Sequence, residues 1–306
     1  MLISVILTAY NRRVFIMDAL KSILVQSLDR KNWELIVVKN YSDEAVDSLL
    51  LENNCKSIEM DGTIGEFLHE GIKYCRGEVI SFLDDDDLFS KDKLEHIYNL
   101  FSKDNKLVFY HNNSLICSSD LAIKKRSRIT KNPAFNLSSI SIRKSAINFN
   151  DLVKIKATPD VYMLISAKES RGEIKIGKSI ETYYRVNNDS TQTSRFENLD
   201  EYLTNKLNVL RPAYEQLLEF SDFFPNRGSR RTLRKYQLAS YSYLLLFSDN
   251  KRPRLEELIE AFTLLPSLFH EGGVSMLLNL SISVMPNYFK RKYIYSLYKE
   301  EKGYQR

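Results

Sequence analysis

The sequence is poor in cysteine and has no apolar run long enough to cross a membrane. Its three cysteines match no metal-ligand spacing, which argues against a disulfide framework and favours reduced thiols in a cytoplasmic protein. The nearest candidate for a membrane span, residues 274–285, contains an asparagine and three serines. It is shorter than the roughly 18 residues that a span needs. Any contact with a membrane is therefore expected to be peripheral.

Glycine is also scarce, and the charge is nearly balanced. Lys and Arg number 44 and Asp and Glu 39, and the resulting net charge of +5 is too small to indicate nucleic-acid binding. The opening apolar residues 2–7 lack the basic flank of a signal peptide and give way to polar residues within ten positions. They are predicted to form a first strand.

Strand-like apolar runs alternate with helical stripes in the first third of the sequence. This alternation predicts an α/β fold with a mostly parallel sheet, helices on both faces and ligands at the carboxyl ends of the strands. Asn11 and Ser90 are expected to cap the helices that follow the first and third of these runs. The runs lie at residues 2–8, 33–38, 79–83 and 107–110.

Four consecutive carboxylates, Asp84–Asp87, follow the apolar run at 79–83. Adjacent like charges at the end of a buried strand would be driven to protonate unless a cation neutralised them. Oxygen ligands suit Mg²⁺ or Mn²⁺, which commonly bind through one or two carboxylates together with substrate phosphates. A solvated acidic turn that caps the next helix is the plainer alternative.

Three segments together resemble the N-terminal signatures of family 2 glycosyltransferases of the GT-A fold: residues 4–12, 34–38 and 77–87. Their order and separation match the family, and the resemblance covers about residues 1–195. It implies a Rossmann-like αβα sandwich and inverting transfer from a nucleotide-diphosphate-sugar donor. The D-x-D motif that holds metal and ribose in the family would be Asp84 and Asp86, with Asp87 as support.

The resemblance also implies roles for residues around the donor. In the family, the end of the first strand lines the nucleotide pocket, the metal lies on the D-x-D carboxylates, and a Tyr-Arg strand closes the catalytic region. Arg185 in that last strand would meet donor phosphate or serve as an ion-pair partner at the sheet edge. The residues assigned to the donor site are Thr8, Tyr10, Arg12, Asp84, Asp85 and Arg185, and Asp86 is assigned with Asp84 to the metal.

The polar turn after the second apolar run, residues 39–44, departs from the family. It is called the second turn below. Lys39 stands where the family usually has the carboxylate that accepts a hydrogen bond from the nucleobase, and lysine has no acceptor. Either Asp43 or Asn40 takes that role, or the base is recognised less strongly. Lys39 and Asp43 are both included in the predicted donor site.

Asp160 is the candidate general base, because the family has an acidic pair at this point and its Asp takes the proton of the acceptor hydroxyl. Pro159 replaces the first acid of that pair. Asp160 as a simple helix cap is the alternative, and Asp151 is a second choice of base.

The match to a phosphate loop at 172–179 is rejected, because the segment alternates like a strand.

Residues 199–306 contain helical stripes and no strand pattern, so a catalytic domain at 1–198 and a helical extension at 199–306 are predicted. Within the first, 1–110 would bind the donor and 111–198 the acceptor. Basic and aromatic residues cluster in the extension, which suits the surface of an anionic membrane at the inner face of the cell. The alternative is packing on the catalytic domain or on a second subunit.

The basic run at 124–128 is either a solvated loop or a contact for phosphate.

The sequence thus predicts a metal-assisted glycosyltransferase acting on a glycan or lipid-linked acceptor. A degenerate domain that only binds nucleotide sugar or membrane is the main alternative, favoured by Lys39 and Pro159. A sugar nucleotidyltransferase is a further one, but the first turn, residues 8–12, lacks the glycines that such enzymes usually carry there.

Overall fold

A computed structural model describes residues 1–117, 135–185, 196–248, 253–268 and 273–304. The chain divides into two compact units, Met1–Val186 and Asn187–Arg306. The basic run at 124–128 lies outside the described residues.

The first unit is built on an eight-stranded mixed sheet in the order β3-β2-β1-β4-β7-β6-β8-β5. β1, β2, β3 and β4 are parallel neighbours, as the alternating pattern predicts. The strands are β1 (Ile3–Ala9), β2 (Trp33–Lys39), β3 (Lys56–Glu59), β4 (Val79–Asp84), β5 (Leu88–Phe89), β6 (Leu107–Cys117), β7 (Ile140–Arg143) and β8 (Glu173–Arg185).

The parallel register brings the predicted polar turns to one edge of the sheet. Ala9 at the end of β1 lies opposite Lys39 at the end of β2, and Thr8 lies opposite Asp84 at the end of β4. β1 is buried along its whole length and β4 up to its last residue, which explains why both read as continuous apolar runs.

The second half of the sheet differs from the sequence expectation. The predicted strand at 137–143 begins with a turn of 3₁₀ helix, and its remainder, β7, runs antiparallel between β4 and β6. The two strands expected near 173–186 form one 13-residue strand, β8. Gly177 lies inside this strand, so the rejection of a phosphate loop is confirmed. A Cβ atom at Gly177 would lie 2.4 Å from the Tyr110 hydroxyl, which explains why glycine stands there.

Helices cover this sheet, and two of their predicted caps are wrong. Asn11 has a positive φ of 55° and lies five residues before the first helix, whose cap residue is Phe15. The helix after the acidic residues begins at Lys93, three residues beyond Ser90. The helices are α1 (Ile16–Leu24), α2 (Glu44–Glu52), α3 (Ile64–Tyr74), α4 (Lys93–Lys103) and α5 (Pro159–Glu169).

The second unit is helical, as predicted. An aromatic cluster lies in its core, where Tyr202 packs against Phe196, Phe247 and Tyr298. No helix in the described part of the chain is long and apolar enough to cross a membrane. The helices are α6 (Leu199–Phe223), α7 (Arg227–Phe247), α8 (Leu255–Leu268), α9 (Gly273–Val284) and α10 (Asn287–Tyr304).

Candidate active site

The acidic residues form a loop held against the end of β1. The backbone N–H of Asp85 donates to the Thr8 carbonyl at 3.2 Å, and the Thr8 hydroxyl donates to the Asp84 carboxylate at 3.4 Å. Asp85, Asp86 and Asp87 are buried, and Asp84 is partly exposed. The loop therefore places four carboxylates within one small volume at the carboxyl edge of the sheet.

Arg12 is the cation that pairs with this loop. One guanidinium nitrogen lies 2.9 Å from the Asp86 carboxylate, and the guanidinium also forms an ion pair with Asp85. The tyrosine of the second turn fixes the backbone here, because the Tyr41 hydroxyl donates to the Arg12 carbonyl at 2.6 Å. Arg12 thus pairs with two of the four carboxylates, and a further cation would favour the ionised form of the others.

The pKa values of three carboxylates in the acidic loop are raised. Burial, together with the charges of Asp86 and Asp85, raises the pKa of Asp84 to about 7. Burial also raises the pKa of Asp85 to about 6 against the opposing effect of Arg12. Burial, with the charges of Asp86 and Asp84, holds the pKa of Asp87 well above its usual range. Burial and mutual repulsion thus both disfavour the ionised form of these carboxylates, and this places the loop under electrostatic strain.

We expect this strain to appear as a pH-dependent stability. Because the folded pKa values of Asp84 and Asp85 lie above the unfolded value near 3.8, the folded state binds more protons between about pH 4 and 7, and stability falls as pH rises through that window. Asp84→Asn should raise the free energy of unfolding at pH 7.5 by about 1 to 3 kcal/mol and flatten the dependence.

Thermal and urea unfolding between pH 5 and 8, without added metal, measure this effect. The matched control is Asp61→Asn, since Asp61 is exposed and should leave the curve unchanged. Equal stability of the wild type and the Asp84 variant across the range would contradict the expectation.

Two further contacts hold the acidic loop, and sequence reasoning missed both. The Ser138 hydroxyl accepts from the Asp84 N–H at 3.0 Å, and the Asp87 carboxylate accepts from the Arg185 N–H at 2.9 Å. Fully buried Lys93 links these supports, because its ammonium donates to the Ser138 carbonyl at 2.6 Å and to the Thr182 hydroxyl of β8 at 2.9 Å. In the sequence, Lys93 directly precedes the apolar stripe of a helix, a position at which a lysine is ordinarily predicted to be exposed.

The second turn is organised around Lys39, whose side chain is 1% exposed. Its ammonium donates to the Tyr41 carbonyl at 2.6 Å and lies 3.1 Å from Asp47 and 3.4 Å from Glu59. Asp43 is the N-cap of α2, with its carboxylate accepting from the Val46 N–H at 3.1 Å. Lys39 therefore presents almost no surface to a ligand.

Replacing Lys39 by methionine is expected to lower the free energy of unfolding by about 1 to 3 kcal/mol, because the buried Tyr41 carbonyl loses its donor. Nucleotide affinity of the folded variant should stay within about twofold of the wild type. The measurements are urea unfolding and calorimetric nucleotide titration of the same sample.

Lys31→Met is the control for the Lys39 variant, since Lys31 is 77% exposed in its pair with Asp29. Its substitution should change neither quantity. A Lys39 variant that keeps its stability but loses nucleotide affinity would show instead that this lysine contacts the donor.

The remaining second-turn residue, Asn40, connects this turn to the first. Its side-chain N–H donates to the Asn11 side-chain oxygen at 2.8 Å, and its side-chain oxygen accepts from the Asn11 backbone N–H at 2.8 Å. Next to this pair, Tyr10 is 58% exposed and meets the Phe67 ring edge to face at 5.9 Å. An open aromatic face thus stands between the joined turns and α3, suited to stacking on a planar ring.

Asp160 lies in the first turn of α5, directly after Pro159. Thr158, the residue before that proline, has a left-handed backbone with φ 52°, an uncommon conformation for a β-branched residue. Burial raises the pKa of Asp160 to about 6. Asp151 contrasts with it, because the Lys154 ammonium at 2.6 Å and Asn148 hold its pKa below the usual value despite burial.

Tyr184 relates Asp160 to the acidic loop. Burial raises the pKa of this phenol, and the negative charges of Asp87, Asp86, Asp84 and Asp160 raise it further. Asp160 and the acidic loop therefore both lie near the Tyr184 hydroxyl.

Arg185 is turned away from open solvent. Its guanidinium lies 4.3 Å from the centre of the Phe15 ring and donates to the Asp18 carboxylate at 3.0 Å, and its side chain is 1% exposed. Of the two roles predicted for this residue, the one visible in the structure is the ion pair.

The residues present suit a divalent cation. Asp84 is partly exposed and its carboxylate accepts one long hydrogen bond, and a bound cation would oppose the burial and the neighbouring charges that raise its pKa. In the described residues no group of three or more His, Cys, Asp or Glu side chains forms a preformed cage. Carboxylate oxygens such as those of Asp84 and Asp86 are the type of ligand through which Mg²⁺ or Mn²⁺ commonly binds, together with substrate phosphates.

The comparison with known proteins decides the family. The model of the glycosyl transferase family 2 domain matches residues 4–165, more than half of the chain. The chain belongs to glycosyl transferase family 2. The resemblance predicted from the three signatures is thereby confirmed.

Members of the family that resemble this chain differ in coverage. The chain is 35% identical over 114 residues to an uncharacterized glycosyltransferase of Rickettsia typhi, but spans only 35% of that protein. WfgD of Escherichia coli, a UDP-Glc:alpha-D-GlcNAc-diphosphoundecaprenol beta-1,3-glucosyltransferase, is 24% identical over 212 residues, covering 65% of this chain and 82% of its own length.

Solved structures confirm the GT-A fold. S. aureus TarS 1-349, in complex with UDP-GlcNAc, aligns with a TM-score of 0.56 and 14% identity over 92% of this chain and 90% of its own. The mannosyltransferase PcManGT of Pyrobaculum calidifontis, in complex with GDP-Man and Mn²⁺, aligns with a TM-score of 0.55 and 11% identity, covering 92% and 84%.

Proposed function

We propose that this chain is an inverting glycosyltransferase that moves a sugar from a nucleotide-diphosphate donor to a hydroxyl group of a glycan or a lipid-linked saccharide. The observation that carries the proposal is the acidic loop. Asp84–Asp87 stand at the carboxyl edge of β4, beside the ends of β1 and β2, and Arg12 pairs with Asp85 and Asp86. Donor diphosphate with its cation complements that charge distribution.

The donor would bind across the first and second turns. The exposed ring of Tyr10 offers a stacking surface for the nucleobase, while Thr8 orients Asp84 through its hydroxyl. Asp84 and Asp86 would hold Mn²⁺ or Mg²⁺. When bound, the metal supplies positive charge next to the phosphate oxygens that become more negative as the sugar leaves.

Asp160 would take the proton of the acceptor hydroxyl as that oxygen attacks the anomeric carbon. Its pKa of about 6 leaves the carboxylate ionised at neutral pH and still basic enough to accept a proton. Its position at the start of α5, near the same Tyr184 hydroxyl as the acidic loop, supports this role.

The acceptor class is supported by the name of one relative. WfgD acts, by its name, on a sugar linked to diphosphoundecaprenol, which is a membrane lipid carrier. A lipid-linked acceptor would require the enzyme to work at a membrane surface, in keeping with the basic and aromatic residues of the helical unit. Packing of those helices on a second copy of the chain is the alternative partner.

Calorimetric titration of UDP, GDP and their common sugar conjugates, with and without Mn²⁺, tests the donor. We expect metal-dependent binding of one nucleotide and slow metal-dependent release of free nucleotide from its sugar conjugate. Metal-dependent binding without any turnover would instead support a degenerate binding module. Absence of binding to every nucleotide would refute the proposed donor class.

A further inference from the structure

We propose that the α9–α10 corner, residues 284–292, docks on a membrane surface that carries anionic headgroups. The proposal rests on the function proposed above, since it names the partner through which a lipid-linked acceptor would be reached. It is argued from exposure, charge and the anchoring of this corner within the helical unit.

The corner exposes apolar side chains without a break in sequence larger than two residues. Val284 is 44% exposed, Met285 43%, Tyr288 71% and Phe289 55%. The two aromatic rings meet edge to face at 5.5 Å and so form one protrusion. Single exposed apolar residues are ordinary on a protein surface, but a contiguous group of this kind marks an interaction site.

The outer face of α10 continues the pattern. Tyr288, Lys292, Tyr295 and Lys299 follow one another at intervals of four, three and four residues, which places them on one side of the helix. All four are exposed, and the Lys299 ammonium lies 4.8 Å from the centre of the Tyr295 ring. Tyrosine and lysine both have an apolar body and a polar end, the combination favoured at the membrane–water interface.

Charge selects an anionic partner. Residues 273–299 contain four basic side chains and no acidic one. The other basic cluster of the helical unit is different, because Arg234 in α7 forms a two-fold contact with Glu260 at 2.6 and 2.5 Å. A long acid-free stretch beside exposed aromatic rings complements anionic lipid better than an apolar protein patch.

The corner is fixed to the rest of the helical unit. The buried Lys290 ammonium donates to the carbonyls of Leu245 and Ser248 at the end of α7, at 2.8 and 2.5 Å. Arg291 and Lys292 next to it are exposed. The corner therefore presents its rings and charges in one fixed arrangement, which lowers the conformational entropy lost on docking.

Flotation of the whole chain with vesicles tests the proposal. We expect binding to vesicles of phosphatidylglycerol and phosphatidylcholine, and little binding to phosphatidylcholine alone. Each neutralised base should lower the partition coefficient about fivefold, so Arg291→Gln with Lys292→Gln should lower it about 25-fold. Tyr288→Ser with Phe289→Ser should also reduce binding. The matched control, Lys175→Gln with Lys178→Gln, removes the same charge from an exposed part of β8 and should bind like the wild type.

Each other outcome overturns the proposal. No flotation with anionic vesicles excludes the membrane, and equal flotation of the corner and control variants excludes this corner. A concentration-dependent dimer in sedimentation velocity, lost in the corner variants and without vesicle binding, would assign the surface to a second copy of the chain. Nucleotide titration of the same variants should be unchanged, so failure of the donor proposal would be seen separately.

Discussion

Asp86→Asn is expected to lower metal-dependent turnover of the donor about 10³-fold, the scale found when a group that stabilises developing charge is removed. Asparagine keeps the shape of the side chain but removes one negative charge from the acidic loop. Arg12, now 2.9 Å from Asp86, would keep its ion pair with Asp85 alone. Affinity for the nucleotide in the presence of Mn²⁺ should fall, while weak metal-independent affinity should remain.

Calorimetric titration and an assay of nucleotide release together measure this change. Asp29→Asn serves as the control, because Asp29 precedes β2 and so lies at the opposite edge of the sheet, with its side chain 56% exposed. Retained Mn²⁺-dependent binding in the Asp86 variant would show that the metal is held elsewhere. Loss of binding in both variants would point to general destabilisation, which unfolding curves at pH 7.5 would reveal.

Asp160→Asn is expected to lower kcat by about 10² to 10⁴, the range of general-base catalysis, and to leave donor affinity unchanged. The asparagine cannot accept a proton from the attacking hydroxyl. In the wild type, kcat should fall as pH decreases through about 6, because the Asp160 carboxylate becomes protonated. This decrease should be absent from the residual rate of the variant.

Hydrolysis of the donor, with water as acceptor, gives the pH profile before the natural acceptor is known. Asp151→Asn is the matched control, since Asp151 lies shortly before α5 and is paired with Lys154 at 2.6 Å. Its variant should keep the wild-type rate and profile. If Asp160→Asn lowers affinity rather than kcat, or leaves the decrease near pH 6 in place, Asp160 is not the base.

The first half of the sheet could be predicted from the sequence because its strands are parallel and buried. Such strands read as continuous apolar runs, and their ends must meet at one edge whatever the side chains do there. The pairing of Thr8 with Asp84 and of Ala9 with Lys39 follows directly from this geometry. The second half could not be predicted in the same way, because β7 runs antiparallel to both of its neighbours. The local pattern of a short strand indicates neither its direction nor its partners.

By itself, the sequence determined the resemblance to the family, the order of the elements in the first third of the chain and the four carboxylates at the end of β4. These depend on local patterns of apolar and charged residues, which one chain displays openly. Only the tertiary structure decided that Lys39 is enclosed by Tyr41, Asp47 and Glu59, and that Lys93 links the two supports of the acidic loop. Burial and hydrogen bonding join residues far apart in the chain, so their effect on a charged side chain has no local signal.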